Sequence, residues 1–342
     1  MKTINKNINK VMIWGYPLHS HTHSYIHYGW YKAFKHLDYD TYWFNDNDIP
    51  KDFVFKNCLF ITEGYADKKI PLDPTNVYCV HMCINPEKYL AVGARCIDIR
   101  YNVKSIKDCN YNYSLEEEIK KGNVKKISSI SYYQKLHDNS GISCVNHKNI
   151  EYDAFYTAWA TDLLPHEFNE SDINIKKEKI IYWIGSIGQG NYKNILKLKQ
   201  TCDTHKPKIN FIYNDPWKNP IDHDKCKELM QKSYITPDIR GSGDQQKIAN
   251  GETGDCHKDT GYLPCRIFKA ISYGCLGITN SKAVRDLFIN DGIDIIYSDD
   301  ESELLRLGND KKNDKTLIKK QMNYVKENHT YINRINDLLS II

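Results

Sequence analysis

The chain has 342 residues, of which 41% are hydrophobic and 26% charged, so it can form a globular core of ordinary size. At roughly 150 residues per domain, this length predicts two domains. The formal net charge of +4 comes without a long block of like charges or a basic stripe interleaved with aromatic residues, which argues against a nucleic-acid partner. No window approaches about 18 consecutive apolar residues, so no transmembrane segment is expected.

Eleven cysteines are scattered along the chain, and the N-terminal residues lack the apolar stretch of a secretory signal. We therefore expect a reducing, cytoplasmic compartment, or the host cytoplasm for a viral chain, with the cysteines mostly as small buried hydrophobes. Cys79, His81 and Cys83 cluster on one predicted strand, where alternation places all three on one face. The second ligand pair of a structural zinc site is missing, so the prediction is no metal and no cofactor.

The N-terminal half predicts an alternation of strands and helices. A first strand over Lys10–Trp14 leads through a histidine-rich loop to a helix over Ser24–Leu37, in which large apolar or aromatic residues recur at three-residue steps. Ser20 or Thr22 is placed to cap that helix. Further strands are predicted over Thr41–Phe44, Asn57–Thr62 and Asn76–Met82. This alternation is typical of a parallel, doubly wound α/β sheet.

The middle of the chain is polar and predicts only two helices, near Ser114–Lys121 and near Ser129–Leu136. The polar, lysine-rich segment His166–Lys179 is interpreted as a hinge between domains. The predicted domains are therefore residues 1–165 and residues 166–320, followed by a C-terminal helix over residues 321–342 that can return to the N-terminal domain.

A second α/β pattern begins with a strand over Ile180–Ile184. The helices predicted after it are Tyr192–Cys202, Asp224–Lys232, Pro264–Tyr273, Lys282–Phe288 and a long final helix over about Thr316–Leu339. The strands are Lys208–Tyr213, Leu276–Thr279 and Ile293–Tyr297. Two consecutive Rossmann-like halves facing across a cleft would bind ligands beyond the carboxyl ends of their strands.

Three loops of the C-terminal half follow predicted strands or open a helix and could bind an anion. Their candidate residues are Gly185, Ser186, Asp238, Arg240, Tyr262, Pro264, Arg266 and Lys269. Pro264 suits the first turn of a helix, whose free amides and dipole would favour a diphosphate. Because only seven of the 47 basic residues are arginine, Arg240 and Arg266 near one helix start favour a bidentate anion site over an exposed salt bridge.

The N-terminal half supplies candidates for a general base. His19, His21 and His23 lie in the loop after the first strand, and Glu63 ends another predicted strand. A neutral imidazole or a carboxylate can take a proton from a hydroxyl group near neutral pH. Each of these residues alone has a packing or capping role as its ordinary alternative, and the choice among them stays open.

Three segments resemble one family of proteins. The segment Arg266–Thr279, with its Arg-Ile-Phe-Lys-Ala start and Ser-Tyr-Gly before a strand, resembles the donor-site helix of GT-B glycosyltransferases. It is most similar to the group related to the spore maturation protein CgeB (glycosyl transferases group 1). Trp159–Pro165 is similar to that group's interdomain segment, and Val325–Arg334 carries its His-Thr-Tyr-x-x-Arg pattern.

The resemblance implies an α/β, GT-B enzyme that uses a nucleoside-diphosphate-sugar as co-substrate and transfers a hexosyl or deoxyhexosyl group to a glycan or other hydroxyl acceptor without metal. It implies an acceptor-side N-terminal domain and a donor-binding C-terminal domain, with Arg266 at the diphosphate. Lys269 stands where many GT-B enzymes have the glutamate that holds the donor ribose; a lysine there can instead meet phosphate or an acidic sugar. A GT-B nucleotide-sugar epimerase and an inactive sugar-nucleotide-binding module remain alternatives.

Overall fold

The computed structural model describes Ile4 and residues 7–21, 23–100, 124–126, 142–147, 150–188, 191–215, 218–241 and 262–342. Among these residues, one compact unit contains those up to Ala158 and again from Tyr331, and a second contains Trp159–Thr330. The chain therefore passes between units after Ala158 and after Thr330, whereas the sequence put the boundaries after residues 165 and 320. The predicted helices near Ser114–Lys121 and Ser129–Leu136 lie outside the described residues.

The first unit is built on an eight-stranded sheet with the order β2-β1-β3-β4-β5-β8-β7-β6. Its strands are β1 (Lys10–Trp14), β2 (Thr41–Phe44), β3 (Cys58–Glu63), β4 (Val77–His81), β5 (Arg95–Arg100), β6 (Val124–Lys126), β7 (Ile142–His147) and β8 (Ile150–Tyr156). Among its described residues, the helices are α1 (Ser24–His36), α2 (Glu87–Leu90) and, from the end of the chain, Tyr331–Leu339.

The parallel strands of this sheet are buried as apolar runs. Every residue of β3 and β4 is buried, as is every residue of β1 after Lys10. Such runs are expected when both faces of a parallel sheet are covered, since neither face alternates with water. β1 pairs in parallel with both β2 and β3, and β3 with β4, so the carboxyl ends of these strands lie along one edge of the sheet.

The second unit contains two parallel strand pairs, β9 with β10 and β11 with β12. Its strands are β9 (Ile180–Ile184), β10 (Asn210–Asn214), β11 (Ile278–Thr279) and β12 (Ile296–Tyr297), and its helices are α3 (Tyr192–Thr204), α4 (His223–Lys232), α5 (Cys265–Ser272), α6 (Lys282–Asn290), α7 (Glu301–Lys311) and α8 (Lys315–Asn328). The final helix of the chain, Tyr331–Leu339, is α9.

The segment that follows α4, as far as Gly241, links the two strand pairs. The amide of Tyr234 donates to the carbonyl of Ile180 in β9 at 2.7 Å, and the amide of Asp238 donates to the carbonyl of Ile278 in β11 at 2.8 Å. Asp238 also forms an isolated parallel bridge with Thr279. The carboxyl ends of β9 and of this segment are thereby brought to one place in the unit.

The single long helix predicted near the C-terminus is wrong, because the chain breaks it at His329 and Thr330. The backbone of His329 leaves the helical region, with φ −131° and ψ 39°. Its ring is fully buried and stacks on Phe268 at 4.3 Å, while its carbonyl accepts from the amide of Thr161 at 2.9 Å. These tertiary contacts outweigh the helical periodicity of the sequence.

The capping predicted for α1 by Ser20 is also wrong. His23 occupies the N-cap position without a side-chain hydrogen bond to the amides of the first helical turn, and the Ser20 hydroxyl donates to the carbonyl of Pro17 at 2.6 Å. Thr22 lies outside the described residues. Among the described helices, none combines the length and the apolar character needed to cross a membrane.

Gly274, which ends α5, provides a test of this packing. It has a φ of +78°, and a Cβ there would lie 2.7 Å from the carbonyl carbon of Asp172. Gly292 has a similar φ of +73° with open space around it. We expect Gly274→Ala to cost about 2–4 kcal/mol of unfolding free energy in urea titrations, from strain plus overpacking, and Gly292→Ala about 1 kcal/mol from strain alone. Equal losses of unfolding free energy in the two variants would contradict the close approach of Asp172 to position 274.

Candidate functional site

Arg266, in the first turn of α5, joins the ends of two strand segments of the second unit. Its Nε donates to the carbonyl of Pro237 at 3.0 Å and its Nη1 donates to the carbonyl of Ile184 at 2.5 Å. The guanidinium stacks on the ring of Trp183, 4.0 Å from its centroid. Burial lowers the pKa of Arg266 to about 10, so the group remains cationic at neutral pH. Nη2 has no partner among the described residues.

Three other predicted residues belong to the turn after β9 or to the start of α5. Gly185 has a φ of +134°, which L side chains rarely adopt, and a Cβ there would lie in ordinary contact with Nη1 of Arg266, at 3.6 Å. Pro264 is the N-cap of α5, one residue earlier than the predicted first turn. Ser186 lies exposed beyond the turn, and its carbonyl accepts from the side chain of Asn191 at 3.2 Å.

Asp238, Arg240 and Tyr262 form a second group next to it. Asp238 is fully buried and is paired with the guanidinium of Arg240, whose Nε lies 2.8 Å from the carboxylate. The guanidinium of Arg240 also lies 5.5 Å from the ring centroid of Tyr262. Arg240 therefore lies near Arg266, but its guanidinium is already paired with the carboxylate of Asp238.

Lys269 contacts a carboxylate that sequence reasoning did not single out. Its ammonium lies 3.7 Å from Asp162, which is buried and also bonds His223 and the hydroxyl of Tyr273. Burial alone would raise the pKa of Asp162, but Lys269 and these hydrogen bonds hold it well below its ordinary value. Lys269 thus compensates a buried negative charge of this unit. Asp162 lay inside the resembling segment Trp159–Pro165, which was the available signal.

The residues of the His-Thr-Tyr-x-x-Arg pattern have packing roles. Arg334 is buried, and its Nε donates to the carbonyl of Ala158 at 2.9 Å in the first unit. Tyr331 packs against Trp30, with ring centroids 5.3 Å apart, and leaves no room for a side chain at Gly29. His329 and Thr330 pair with the Thr161 backbone in the second unit.

The base candidates meet at the carboxyl ends of β1 and β3 in the first unit. His23, at the start of α1, places its Nδ1 2.6 Å from Oε2 of Glu63, the last residue of β3. Burial alone would raise the pKa of Glu63, but the hydrogen bond and charge of His23 lower it to about 2. Because Glu63 is ionised and only accepts, this hydrogen bond requires a proton on Nδ1 of His23, and the neutral tautomer with that proton has its lone pair on Nε2.

The other two histidines of the loop are held differently. Nδ1 of His21 accepts from the backbone amide of His23 at 3.1 Å, and its ring stacks on Tyr16 at 3.9 Å. His19, at a positive φ of 69°, places its Nδ1 3.3 Å from the hydroxyl of Tyr25 at an exposed position. Of the four candidates, His23 and Glu63 are hydrogen-bonded side chain to side chain.

Two buried histidines complete the surroundings of Glu63. His27 lies beneath Gly15, where a Cβ would overlap its ring, and His81 ends β4 opposite Glu63 in the strand register. Burial lowers the pKa of His27 to about 4 and that of His81 to about 3, so both are neutral at pH 7. Burial and the charge of Glu63 raise the pKa of Tyr16 to about 12.

The expectation that Cys79, His81 and Cys83 share one strand face is wrong. β4 ends at His81, and Met82 takes a φ of 50°, so Cys83 leaves the alternation and enters the core with its Sγ 3.8 Å from that of Cys96. Among the described residues, the group that could hold a metal ion is instead His21, His23 and Glu63, with ligand atoms within 4.8 Å of one another.

Comparisons with known proteins address the fold and the class. Residues 195–340 match the family model described as Glycosyl transferase-like. A structure described as trehalose-6-phosphate from E. coli bound with UDP-2-fluoro glucose aligns over 97% of this chain and 99% of its own, with a TM-score of 0.54 at 8% identity. A trehalose-phosphate synthase from Burkholderia xenovorans in complex with glucose-6-phosphate aligns over 79% and 74%, with a TM-score of 0.49 at 8% identity. No curated protein matches in sequence.

These findings confirm the α/β, GT-B fold and the glycosyltransferase class that the resemblance implied. The family match includes Arg266, Lys269 and the His-Thr-Tyr-x-x-Arg pattern, whereas the histidine loop and Glu63 lie before it. The fold likeness alone assigns no substrate, because it comes at 8% identity.

The depressed pKa of His27 makes a stability prediction. Its folded pKa of about 4 lies below the ordinary 6.5, so its contribution to stability is present above pH 6.5 and is lost as the pH falls toward 4. Between about pH 7.5 and pH 5, the unfolding free energy of the wild type should fall by about 2 kcal/mol more than that of His27→Gln, as measured by urea titration. His19→Gln, at an exposed position, should keep the wild-type loss. If the unfolding free energy of His27→Gln fell as much as that of the wild type over this pH range, the burial argument would be contradicted.

Proposed function

We propose that the protein transfers a hexosyl or deoxyhexosyl group from a nucleoside-diphosphate-sugar to a hydroxyl of a glycan or other acceptor, without a metal cofactor. The observation that carries this proposal is Arg266, a cation at the start of α5 and at the ends of two strand segments, within the residues that match the glycosyltransferase-like model. The UDP-sugar bound to the E. coli protein of the same fold supports the donor class.

The charges near α5 suit a leaving diphosphate. The amides of the first helical turn and the positive end of the helix dipole favour an anion there. Arg266 remains charged and keeps Nη2 unused among the described residues. A fixed cation and aligned amides stabilise the negative charge that develops on the leaving group, and this stabilisation requires no divalent ion. Gly185 and Arg240 are proposed to border the same anion.

His23 is proposed as the general base and Glu63 as its positioning residue. Glu63 holds Nδ1–H of His23 and thereby directs the lone pair on Nε2 to a substrate proton. Glu63 is a poor base itself, because its carboxylate is 2% exposed and has a pKa of about 2. The side chain of His23 is 30% exposed, so an acceptor hydroxyl can reach its ring.

Donor binding is tested with Arg266→Lys, which keeps a positive charge but loses the planar fork. We expect one ligand in a panel of UDP, GDP, dTDP, CMP and their sugar conjugates to raise the wild-type melting temperature. Calorimetry should then show that Arg266→Lys binds this ligand at least tenfold more weakly than the wild type does. Arg306→Lys is the control, since Arg306 pairs with Glu303 on an exposed helix face and should bind normally.

Equal affinity in wild type and Arg266→Lys would remove Arg266 from the donor site. Donor binding without transfer to any acceptor would favour an inactive module, and release or rearrangement of the sugar without an acceptor would favour an epimerase.

Catalysis is tested with His23→Gln. Loss of a general base typically costs about 10²–10⁴ in rate, so we expect kcat to fall by that factor while calorimetric donor affinity stays within about twofold. Glu63→Gln should shift the pH–rate profile and reduce kcat less, because the imidazole remains. Full activity of His23→Gln, with a fold unchanged by circular dichroism, would assign the base elsewhere.

A further inference from the structure

His21, His23 and Glu63 bring together the donor atoms of a transition-metal site. β1 and β3 are parallel neighbours, so the loop after β1 and the last residue of β3 meet at one edge of the sheet. The ligand atoms of the three residues lie within 4.8 Å of one another, and Nδ1 of His23 and Oε2 of Glu63 are 2.6 Å apart. Tetrahedral zinc, with metal–nitrogen distances of about 2.0–2.1 Å, needs donor atoms about 3.4 Å apart. Movements of roughly 1–1.5 Å would therefore complete a site.

The side chains differ in their freedom to make this movement. Glu63 is 2% exposed and fixed at the end of a buried strand. His21 and His23 are only partly buried and lie in a loop and at a helix start, where their rings can turn. His21 accepts a hydrogen bond from the backbone amide of His23 and stacks on Tyr16. The carboxylate thus provides a fixed ligand toward which two imidazoles can close.

The ligand chemistry selects the ion. Two imidazoles and one carboxylate suit zinc and its neighbours among the divalent transition metals, whereas magnesium and calcium prefer oxygen ligands. The carboxylate of Glu63 supplies a negative charge that attracts a dication, and the two imidazoles supply nitrogen ligands beside it. Three protein ligands leave a fourth position for water or a hydroxyl group.

We propose that His21, His23 and Glu63 bind a divalent transition-metal ion, zinc in the first instance, and that its binding inhibits transfer. The inhibition rests on the proposed function, whereas the binding does not. Inhibition is expected because the hydrogen bond between His23 and Glu63 orients the imidazole for its proposed role as a general base. An ion that coordinates Nδ1 of His23 and the carboxylate of Glu63 breaks that bond. The proton displaced from Nδ1 moves through solvent to Nε2, so the lone pair that would act as the base is lost.

The binding is tested on the full chain after dialysis against EDTA, by cobalt(II) titration followed through visible absorption and by zinc calorimetry. We expect one saturable equivalent with the spectrum of a tetrahedral cobalt site. His21→Gln and Glu63→Gln should weaken zinc binding at least tenfold, and His19→Gln, two residues from His21, should bind as wild type. Absence of a saturable site, or equal affinity in wild type and His21→Gln, would overturn the proposal.

Inhibition is tested with the same EDTA-treated protein under donor and acceptor saturation. We expect activity before zinc is added and loss of at least nine-tenths of it once the site is filled, reversed by EDTA. Unchanged activity with zinc bound would overturn the inhibitory role. Activity that appears only when zinc is added would overturn both that role and the metal-independent mechanism. Failure of donor binding at Arg266 would leave the cobalt and zinc results as they stand, so the two proposals fail separately.

Discussion

The parallel pairing of neighbouring strands determines where the chemistry of each unit can lie. In the first unit, the register that sets Glu63 opposite His81 and β1 beside β3 carries the histidine loop to the same edge as Glu63. In the second unit, the backbone bonds of Tyr234 and Asp238 set the segment after α4 between β9 and β11. An antiparallel partner in either place would send its carboxyl end to the opposite edge.

The buried carboxylate Asp162 explains why a lysine can occupy position 269. A glutamate there would place a second carboxylate near Asp162 in a buried environment, where like charges raise each other's pKa and cost stability. Lys269 instead supplies the opposite charge, together with hydrogen bonds from His223 and Tyr273. The departure from the family pattern is therefore compensated inside the protein, and ribose recognition must come from other groups if the donor is a nucleotide sugar.

Local patterns in the sequence predicted most strands and helices to within a few residues, because apolar runs and capping residues act over short distances. β1 and β2 were predicted with the observed bounds, and α5 with its ending at Gly274. What could not be predicted depends on residues far apart in the chain. The break at His329 requires Phe268 and Thr161, and the partner of Lys269 lies in a different loop. The rule that ligands bind beyond the carboxyl ends of parallel strands selected Glu63 and the histidines as alternative bases, but it did not predict the hydrogen bond between His23 and Glu63.

The proton between His23 and Glu63 links the two possible uses of this edge. While Nδ1 of His23 keeps that proton, Glu63 orients the ring and the lone pair on Nε2 can act as a base. A metal ion that coordinates both side chains requires their separation, so the ring can no longer be positioned by the carboxylate. On this geometry, the proposed base catalysis and the proposed metal coordination therefore exclude each other.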